Sequence, residues 1–364
     1  MGIIIFTFIF QMLLAALISG VVNLFFWLMI FARFSVYRQK NGTVTEARVW
    51  LVIVVRNELE NLKQHLYLML QQHSLSYKTL IIDDGSTDGT ISWLSEVQNS
   101  HPDLHLLRHE KSIGKKKALH KALPTLDGTH FIFTDGDCAC NSENWMKLML
   151  WGLDEKKSIV LGYAPLNKMK TFISIFARYE TFLTALQYFS YALAGIPYMG
   201  VGRNLAYHAS VLGKSKGFSS HLDLLSGDDD LLVNAVANKD NVRIQTDPES
   251  FMYSNPPKNI RAFVRQKSRH ISTSVRYKKI HQILLALFSA SHIVFYLALF
   301  FSGSLFAPGI WGLRIVLIII FNYKAFLKLK EKDLLFYFPV LDFLMFLYYS
   351  FMSFSFIIPN KKNW

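Results

Sequence analysis

The chain divides into regimes by the pattern of its apolar positions. Residues 3–31 are almost wholly apolar and are followed by Arg33, Arg38 and Lys40, a run long enough to cross a bilayer with some tilt. A cleaved leader fits poorly, because no basic segment precedes the run and the run is too long. From about residue 47 short apolar runs alternate with amphipathic stretches. Residues 49–55 (VWLVIVV) are continuously apolar, as expected of a parallel strand buried on both faces. The pattern then predicts a helix over 57–73, a strand over 79–82, a helix over 90–98, a short strand over 104–107, a helix over 115–123 and a strand over 130–134. Such alternation, with acidic or glycine-rich turns at strand ends, predicts a doubly wound α/β fold whose ligands sit at the C-terminal ends of the strands.

Residues 171–200 are apolar and aromatic but include Arg178, Glu180, Gln187, Gly195 and Pro197. They read as a membrane span or as an interfacial amphipathic helix, and the charged pair favours the interface. Beyond them, 281–301 is a clear span, 305–323 a weaker one because it carries Arg314, 324–333 a basic linker and 334–358 a further span. The expected organisation is an N-terminal membrane helix at 1–33, a cytosolic domain at 41–280 and C-terminal membrane helices at 281–358. Four crossings place the basic stretches 33–40, 258–279 and 324–332 on the cytosolic side; Lys361 and Lys362 would then lie outside, against the trend. The expected location is a bacterial inner membrane.

Composition sharpens this division. The 364 residues are 51% hydrophobic and 18% charged, with a net charge of +13, where a soluble domain is nearer a quarter charged. The densest basic stretch (Lys258, Arg261, Arg265, Lys267, Arg269, Arg276, Lys278, Lys279) directly precedes an apolar span. Such clusters hold a segment in the cytosol and attract anionic headgroups. No nucleic-acid motif competes, so no nucleic-acid partner is expected. Two cysteines, Cys138 and Cys140, exclude a disulfide framework and read as reduced, buried thiols.

Five motifs carry chemistry. Asp83-Asp84-Gly85-Ser86-Thr87-Asp88-Gly89-Thr90 follows a strand; carboxylates there accept hydrogen bonds from a base or a ribose, and Gly85 permits a tight turn. Gly114-Lys115-Lys116-Lys117 opens a helix with backbone N–H groups and cations suited to a diphosphate, but it lacks the remaining elements of a P-loop. Asp135-Gly136-Asp137, after an apolar strand, offers two carboxylates to a divalent cation such as Mg2+ or Mn2+, which would bridge two phosphates. Ser226-Gly227-Asp228-Asp229-Asp230 precedes an apolar run; three adjacent acids repel one another and raise a carboxylate's proton affinity, which suits a general base. They also suit a helix N-terminus. Gln266-Lys267-Ser268-Arg269-His270 lies in the basic stretch, where Arg269 can clamp a phosphate and a positive-inside flank is the plainer reading.

In this order the five motifs resemble those of the family 2 glycosyltransferases with a GT-A fold, among them the membrane-bound cellulose, chitin and hyaluronan synthase-like enzymes. The resemblance covers roughly residues 47–275 and the membrane segments after them. It implies a Rossmann-like, mostly parallel sheet domain plus transmembrane helices, with Asp83 and Asp84 on the nucleoside. Lys115, Asp135, Gln266 and Arg269 would lie on the nucleotide sugar, and Asp135 and Asp137 on the metal. Asp229 would be the catalytic base, with Gly202, Asn204, Asp228 and His270 on the acceptor side. His270 stands where the family usually has Trp, which bears on processivity.

The implied reaction is inverting transfer of a hexose or N-acetylhexosamine from a nucleotide sugar, a UDP-sugar first, to a membrane-associated lipid or saccharide acceptor. Two alternatives compete with this reading. A membrane-bound nucleotidyltransferase would carry a glycine-rich phosphate loop near the first strand, and Val55-Arg56-Asn57-Glu58 has no glycine. A transporter or scaffold would not need three acidic motifs at strand ends.

Overall fold

The computed structural model describes residues 2–40, 42–43, 47–72, 76–214, 227 and 229–357. They form two compact units, one from the two ends of the chain (1–37 and 278–364) and one from its middle (38–277).

In chain order, α1 (Gly2–Phe25) runs through a π-helical turn at Phe26–Phe31 into α2 (Ala32–Val36). The middle unit begins with β1 (Val49–Val55), α3 (Leu59–Leu70), β2 (Tyr77–Asp84), α4 (Thr90–Ser100), β3 (Leu104–His109), α5 (Lys115–Ala122) and β4 (His130–Asp135). It continues with β5 (Cys138–Cys140), α6 (Trp145–Leu150), β6 (Ile159–Leu161), α7 (Phe172–Leu193), β7 (Leu205–His208) and α8 (Ser210–Lys214). It closes with α9 (Asp230–Val236), β8 (Val242–Ile244), β9 (Met252–Ser254) and α10 (Ile260–Ser274). Then come α11 (Lys279–Ser302), α12 (Ala307–Lys328) and α13 (Leu334–Ile357).

Seven strands make one sheet in the order β3-β2-β1-β4-β7-β6-β8, and β5 pairs with β9 in a second sheet. The four strands β1 to β4 are mutually parallel. β7 runs antiparallel to β4 and β6, and β6 is parallel to β8. β1 lies between β2 and β4, and six of its seven residues are buried, which accounts for its unbroken apolar run. Its inward residues Leu51 and Ile53 pack with Leu62, Leu66, Ile132, Trp145 and Met149 into the main core. The sheet's strand order reverses beside β1, where β2 and β4 flank it. Crevices at the strand C-termini form at such reversals, and here Val55, Asp84 and Asp135 end those three strands.

Within segment 171–200, Phe172–Leu193 forms α7, and most of this helix packs into the middle unit instead of lying on its surface. Arg178 and Glu180 are buried with Tyr179, Phe182, Leu186 and Phe189. The buried Glu180 pairs with Lys267 of α10, so this charge, which pointed to an interface, has an ionic partner inside the protein. Only the first turn is open, with Phe172 59% exposed.

The end unit contains four helices long and apolar enough to cross a membrane: Ile3–Val36, Lys279–Ser302, Ala307–Lys328 and Leu334–Ser353. Many large side chains on them face outward, including Ile3, Phe6, Phe300, Leu313, Ile320 and Phe336, as expected where lipid replaces water. α12 continues as helix over residues expected to be linker. Lys328 there donates to the carbonyls of Phe34 (2.8 Å), Ser35 (3.0 Å) and Tyr37, satisfying orphan carbonyls at the end of α2.

Candidate active site

Two turns at the end of the sheet interlock. After β2, the Ser86 N–H donates to Asp83 Oδ1 (3.2 Å), and Gly85 takes φ 79°. A Cβ on Gly85 would lie 2.7 Å from the Ser112 nitrogen, so that position demands glycine for both conformation and space. After β1, Asn57 also adopts a positive φ of 57°, which asparagine tolerates better than most residues. Its N–H donates to Ser86 Oγ (2.9 Å), and its Oδ1 accepts from the Thr87 N–H (2.8 Å). The N–H groups of Glu58 and Leu59 donate to Thr90 Oγ1 and Asp88 Oδ2, both at 3.2 Å. This bracing explains why α3 starts two residues later than its pattern predicts.

Asp83 and Asp84 both stand at the end of β2 and both are buried, but their partners differ. Asp84 is buried, and its carboxylate accepts from Ser112 Oγ (2.6 Å), the Ile113 N–H (2.8 Å) and the Gly114 N–H (3.1 Å). The carboxylate therefore holds the segment that launches α5 and so fixes where Lys115, the first residue of α5, begins. Lys115 Nζ reaches Asp135 Oδ1 at 2.5 Å.

Asp135 and Asp137 flank Gly136, where a Cβ would meet Val55 Cγ1 at 2.8 Å and Glu58 Cγ at 3.2 Å. The turn is thus pressed against the end of β1. Asp137 opens to solvent at the rim, yet the protein surrounding it raises its proton affinity, and the Asp135 charge adds to this; Arg203, Cys138 and Lys115 pull the other way. Half-burial likewise raises the proton affinity of Glu58, with Asn61 opposing and Asp137, Asp135 and Asp88 reinforcing. Burial is the largest cause at both groups, and the neighbouring carboxylates add to it; a cation bound beside them would relieve that repulsion. Among the described residues no group of three or more His, Cys, Asp or Glu side chains is arranged to enclose a metal. The donor set fits a hard divalent ion that takes one or two carboxylates and completes its shell with phosphate and water oxygens. It does not fit a closed zinc site.

Across the crevice stand Gly202 and Asp229. Lys115, Thr134, Gly202 and Asp229 line one cavity, floored by Val52, Phe133, Leu205 and Tyr207. Asp229 is the N-cap of α9: it accepts from the Asp230 N–H (2.8 Å) and from the Gly202 N–H. Asn204 is fully buried, donating to the carbonyls of Tyr163 and Ser250 (both 2.8 Å) and accepting from Trp145 Nε1 (3.0 Å). It anchors the segment and does not face the cavity. Asp230 departs from the expected row of repelling acids. Its carboxylate turns inward and accepts from the hydroxyls of Thr273 and Tyr277 (2.6 Å for Tyr277). Asp228 lies outside the described residues, and of His270 only its place on α10 is described. Gln266 is half-buried and Arg269 exposed on α10. Among the described residues no hydrogen bond or ion pair joins either side chain to the strand-end carboxylates.

Three contributors escaped the motif reading. Asn57 and Glu58 carry no motif of their own, although an asparagine two residues past the end of a buried strand is itself a signal of a turn. Arg203 was passed over inside Gly202-Arg203-Asn204, where its charge acts on Asp137.

Comparison with known proteins gives a consistent picture. Residues 50–201 match the family model "Glycosyl transferase family 2", and residues 158–359 match "Glycosyl transferase family group 2". "Glycosyltransferase AglE" of Haloferax volcanii is 28% identical over 107 residues, 29% of this chain; the match spans 35% of that protein's length. Among solved structures, a mannosyltransferase from Pyrobaculum calidifontis, in complex with GDP-Man and Mn2+, superposes with a TM-score of 0.60 at 17% identity. That match covers 94% of this chain and 99% of the other. S. aureus TarS 1-349 is similar at a TM-score of 0.45 and 16% identity, covering 81% and 90%.

Proposed function

The chain belongs to glycosyl transferase family 2, and on that premise we propose that it moves a hexose or N-acetylhexosamine from a nucleotide sugar to a membrane-associated acceptor with inversion. The observation that carries this reading is the cavity that brings Lys115, beside Asp135, together with Asp229 and Gly202. A donor-side cation and an acceptor-side carboxylate thus stand near each other at the ends of the strands, which supports a direct displacement. In that displacement the acceptor oxygen bonds to the sugar C1 and its proton passes to Asp229. The bond from C1 to the diphosphate oxygen breaks, and its electron pair leaves on the diphosphate.

The two backbone N–H groups that donate to Asp229 orient its carboxylate toward the acceptor. The resemblance assigns Asp83, at the end of β2, to the nucleoside, and Asp84 serves by placing α5. The resemblance assigns Gln266 and Arg269 of α10 to the donor and His270 to the acceptor. Asp135 and Asp137 would hold Mg2+ or Mn2+, which when bound neutralises charge on the diphosphate.

A screen of UDP- and GDP-linked hexoses and N-acetylhexosamines on the purified protein, read by mass spectrometry of the product and its anomeric configuration, tests the reading. No transfer or hydrolysis with any donor would reject it. Asp137→Asn is expected to remove most nucleotide-diphosphate release while the melting temperature holds. Full activity of the parent protein in excess chelator would reject the metal assignment.

The middle unit is expected on the cytosolic side, where nucleotide sugars are made and where the basic flanks belong. Cys138 and Cys140 are buried, so background labelling is low. Glu60 on α3 is exposed, with its side chain 80% accessible. A Glu60→Cys variant in intact cells is expected to resist an impermeant maleimide until the membrane is opened. Labelling from outside would invert the topology.

A further inference from the structure

We infer that Arg203 is a diphosphate-binding residue of this site, an assignment that rests on the nucleotide-sugar reading above. Arg203 Nη1 donates to Ser254 Oγ at 2.5 Å. Ser254 ends β9, and the β5–β9 register sets it opposite Cys138, the residue directly after Asp137. The guanidinium is therefore held beside the Asp135-Gly136-Asp137 turn.

Its backbone is pinned on both sides. The Gly202 N–H is engaged by Asp229, and Asn204 is locked by Tyr163, Ser250 and Trp145. With the main chain fixed and one tip nitrogen tethered to a hydroxyl, the side chain is ordered before any ligand arrives, which reduces the entropy lost on binding.

The remaining donors set the role. A guanidinium carries five N–H groups in a fixed fork, and Ser254 takes one. Among the described residues no carboxylate forms an ion pair with Arg203. A cation whose purpose was to neutralise Asp137 would sit against it; this one is tethered to a hydroxyl instead, and among the described residues Ser254 is the hydrogen-bond partner of its guanidinium. Lys115 meets Asp135 directly. The two strand-end carboxylates thus have one cation in contact and a second nearby, and the unspent fork matches the paired oxygens of a phosphate. Because negative charge grows on the diphosphate as its bond to the sugar breaks, the interaction strengthens along the reaction. Arg203 should therefore affect turnover more than donor KM.

The test uses the full chain in detergent, titrated calorimetrically with UDP, uridine, GDP and guanosine, with and without Mn2+. The parent protein should bind one diphosphate more tightly than its nucleoside; no such preference in either pair would reject the donor reading itself. Given the preference, Arg203→Ala should reduce it about tenfold or more, the scale of a charged hydrogen bond, and leave nucleoside affinity unchanged. Arg203→Lys should fall between, since lysine keeps the charge but not the fork. Ser254→Ala should weaken diphosphate binding in the same direction by releasing the tether. Turnover of Arg203→Ala should fall further than donor KM rises. Undiminished diphosphate preference in Arg203→Ala overturns the assignment. So does equal loss of nucleoside and diphosphate affinity, which marks a structural role. If Arg203→Ala does not fold, Arg203→Lys and Ser254→Ala decide by the same criterion.

Discussion

Asp229→Asn is expected to lower turnover about a hundredfold to ten-thousandfold, the usual contribution of a general base, while donor affinity stays nearly constant. The structure separates Asp229 from its neighbour in a way that makes the comparison decisive. Asp229 lines the cavity with Lys115 and Gly202. Among its partners are two backbone N–H groups, that of Asp230 on Oδ1 and that of Gly202 on Oδ2; the single amide oxygen of an asparagine can keep the Asp230 contact and with it the helix cap, at the cost of the Gly202 contact. Asp230 is 5% exposed and accepts from Thr273, Tyr277 and the Leu231 N–H, tying the start of α9 to the end of α10. Asp230→Ala is therefore expected to lower the melting temperature, by leaving two buried hydroxyls short of an acceptor. Any loss of turnover in that variant should track unfolding. Melting temperature, donor affinity and initial rate measured on both variants decide the matter. Near-normal turnover in Asp229→Asn, or a loss that follows its stability, rejects the base assignment.

The contrast between those two acids shows what sequence could and could not convey. β1 announced itself because a strand buried on both faces has no polar positions to interrupt it, and β2 and β4 end on acids that a buried strand cannot accommodate earlier. The far half of the sheet was silent. Ile159–Leu161 and Val242–Ile244 are three-residue strands, too short to show a period, and antiparallel β7 is only Leu205–His208. At the site, carboxylates on turns were legible as a class, but their directions were not. Asp84 turns onto the Ser112–Gly114 segment, Asp229 onto Gly202 and Asp230 onto Tyr277. Each choice depends on backbone geometry set by residues 27 to 47 positions away. For the same reason Arg203 looked like a filler between two motif residues until the β5–β9 pairing put Ser254 opposite Cys138.

The second large effect belongs to the membrane-type helices and centres on Arg314, the residue that made its apolar segment look weak. Arg314 is 2% exposed and Asp342 1%. Arg314 Nη1 donates to Asp342 Oδ2 at 2.6 Å, and Nη2 donates to Asn23 Oδ1 at 2.7 Å and to His292 Nδ1 at 3.2 Å. Tyr296 Oη donates to Asp342 Oδ2 at 2.6 Å and accepts from Trp311 Nε1 at 3.0 Å. Asn23 lies on α1, His292 and Tyr296 on α11, Trp311 and Arg314 on α12, and Asp342 on α13, so one polar network joins all four helices. Ionisable groups at such depth are tolerated only when paired and inward-facing. Removing one partner of a buried pair costs roughly 3–5 kcal/mol, because the remaining charge is stranded, whereas replacing both by apolar residues is often near neutral. Asp342→Leu is therefore expected to destabilise the purified protein by about that much. The Arg314→Leu, Asp342→Leu double variant should recover most of the loss. The measurement is unfolding of parent, both single variants and the double variant in one detergent, treated as a thermodynamic cycle. A double variant as unstable as the sum of its singles would mean that the two side chains act by shape alone. Recovery in the double variant would identify the stranded charge as the main cost, and would explain how a segment carrying an arginine holds its place among apolar helices.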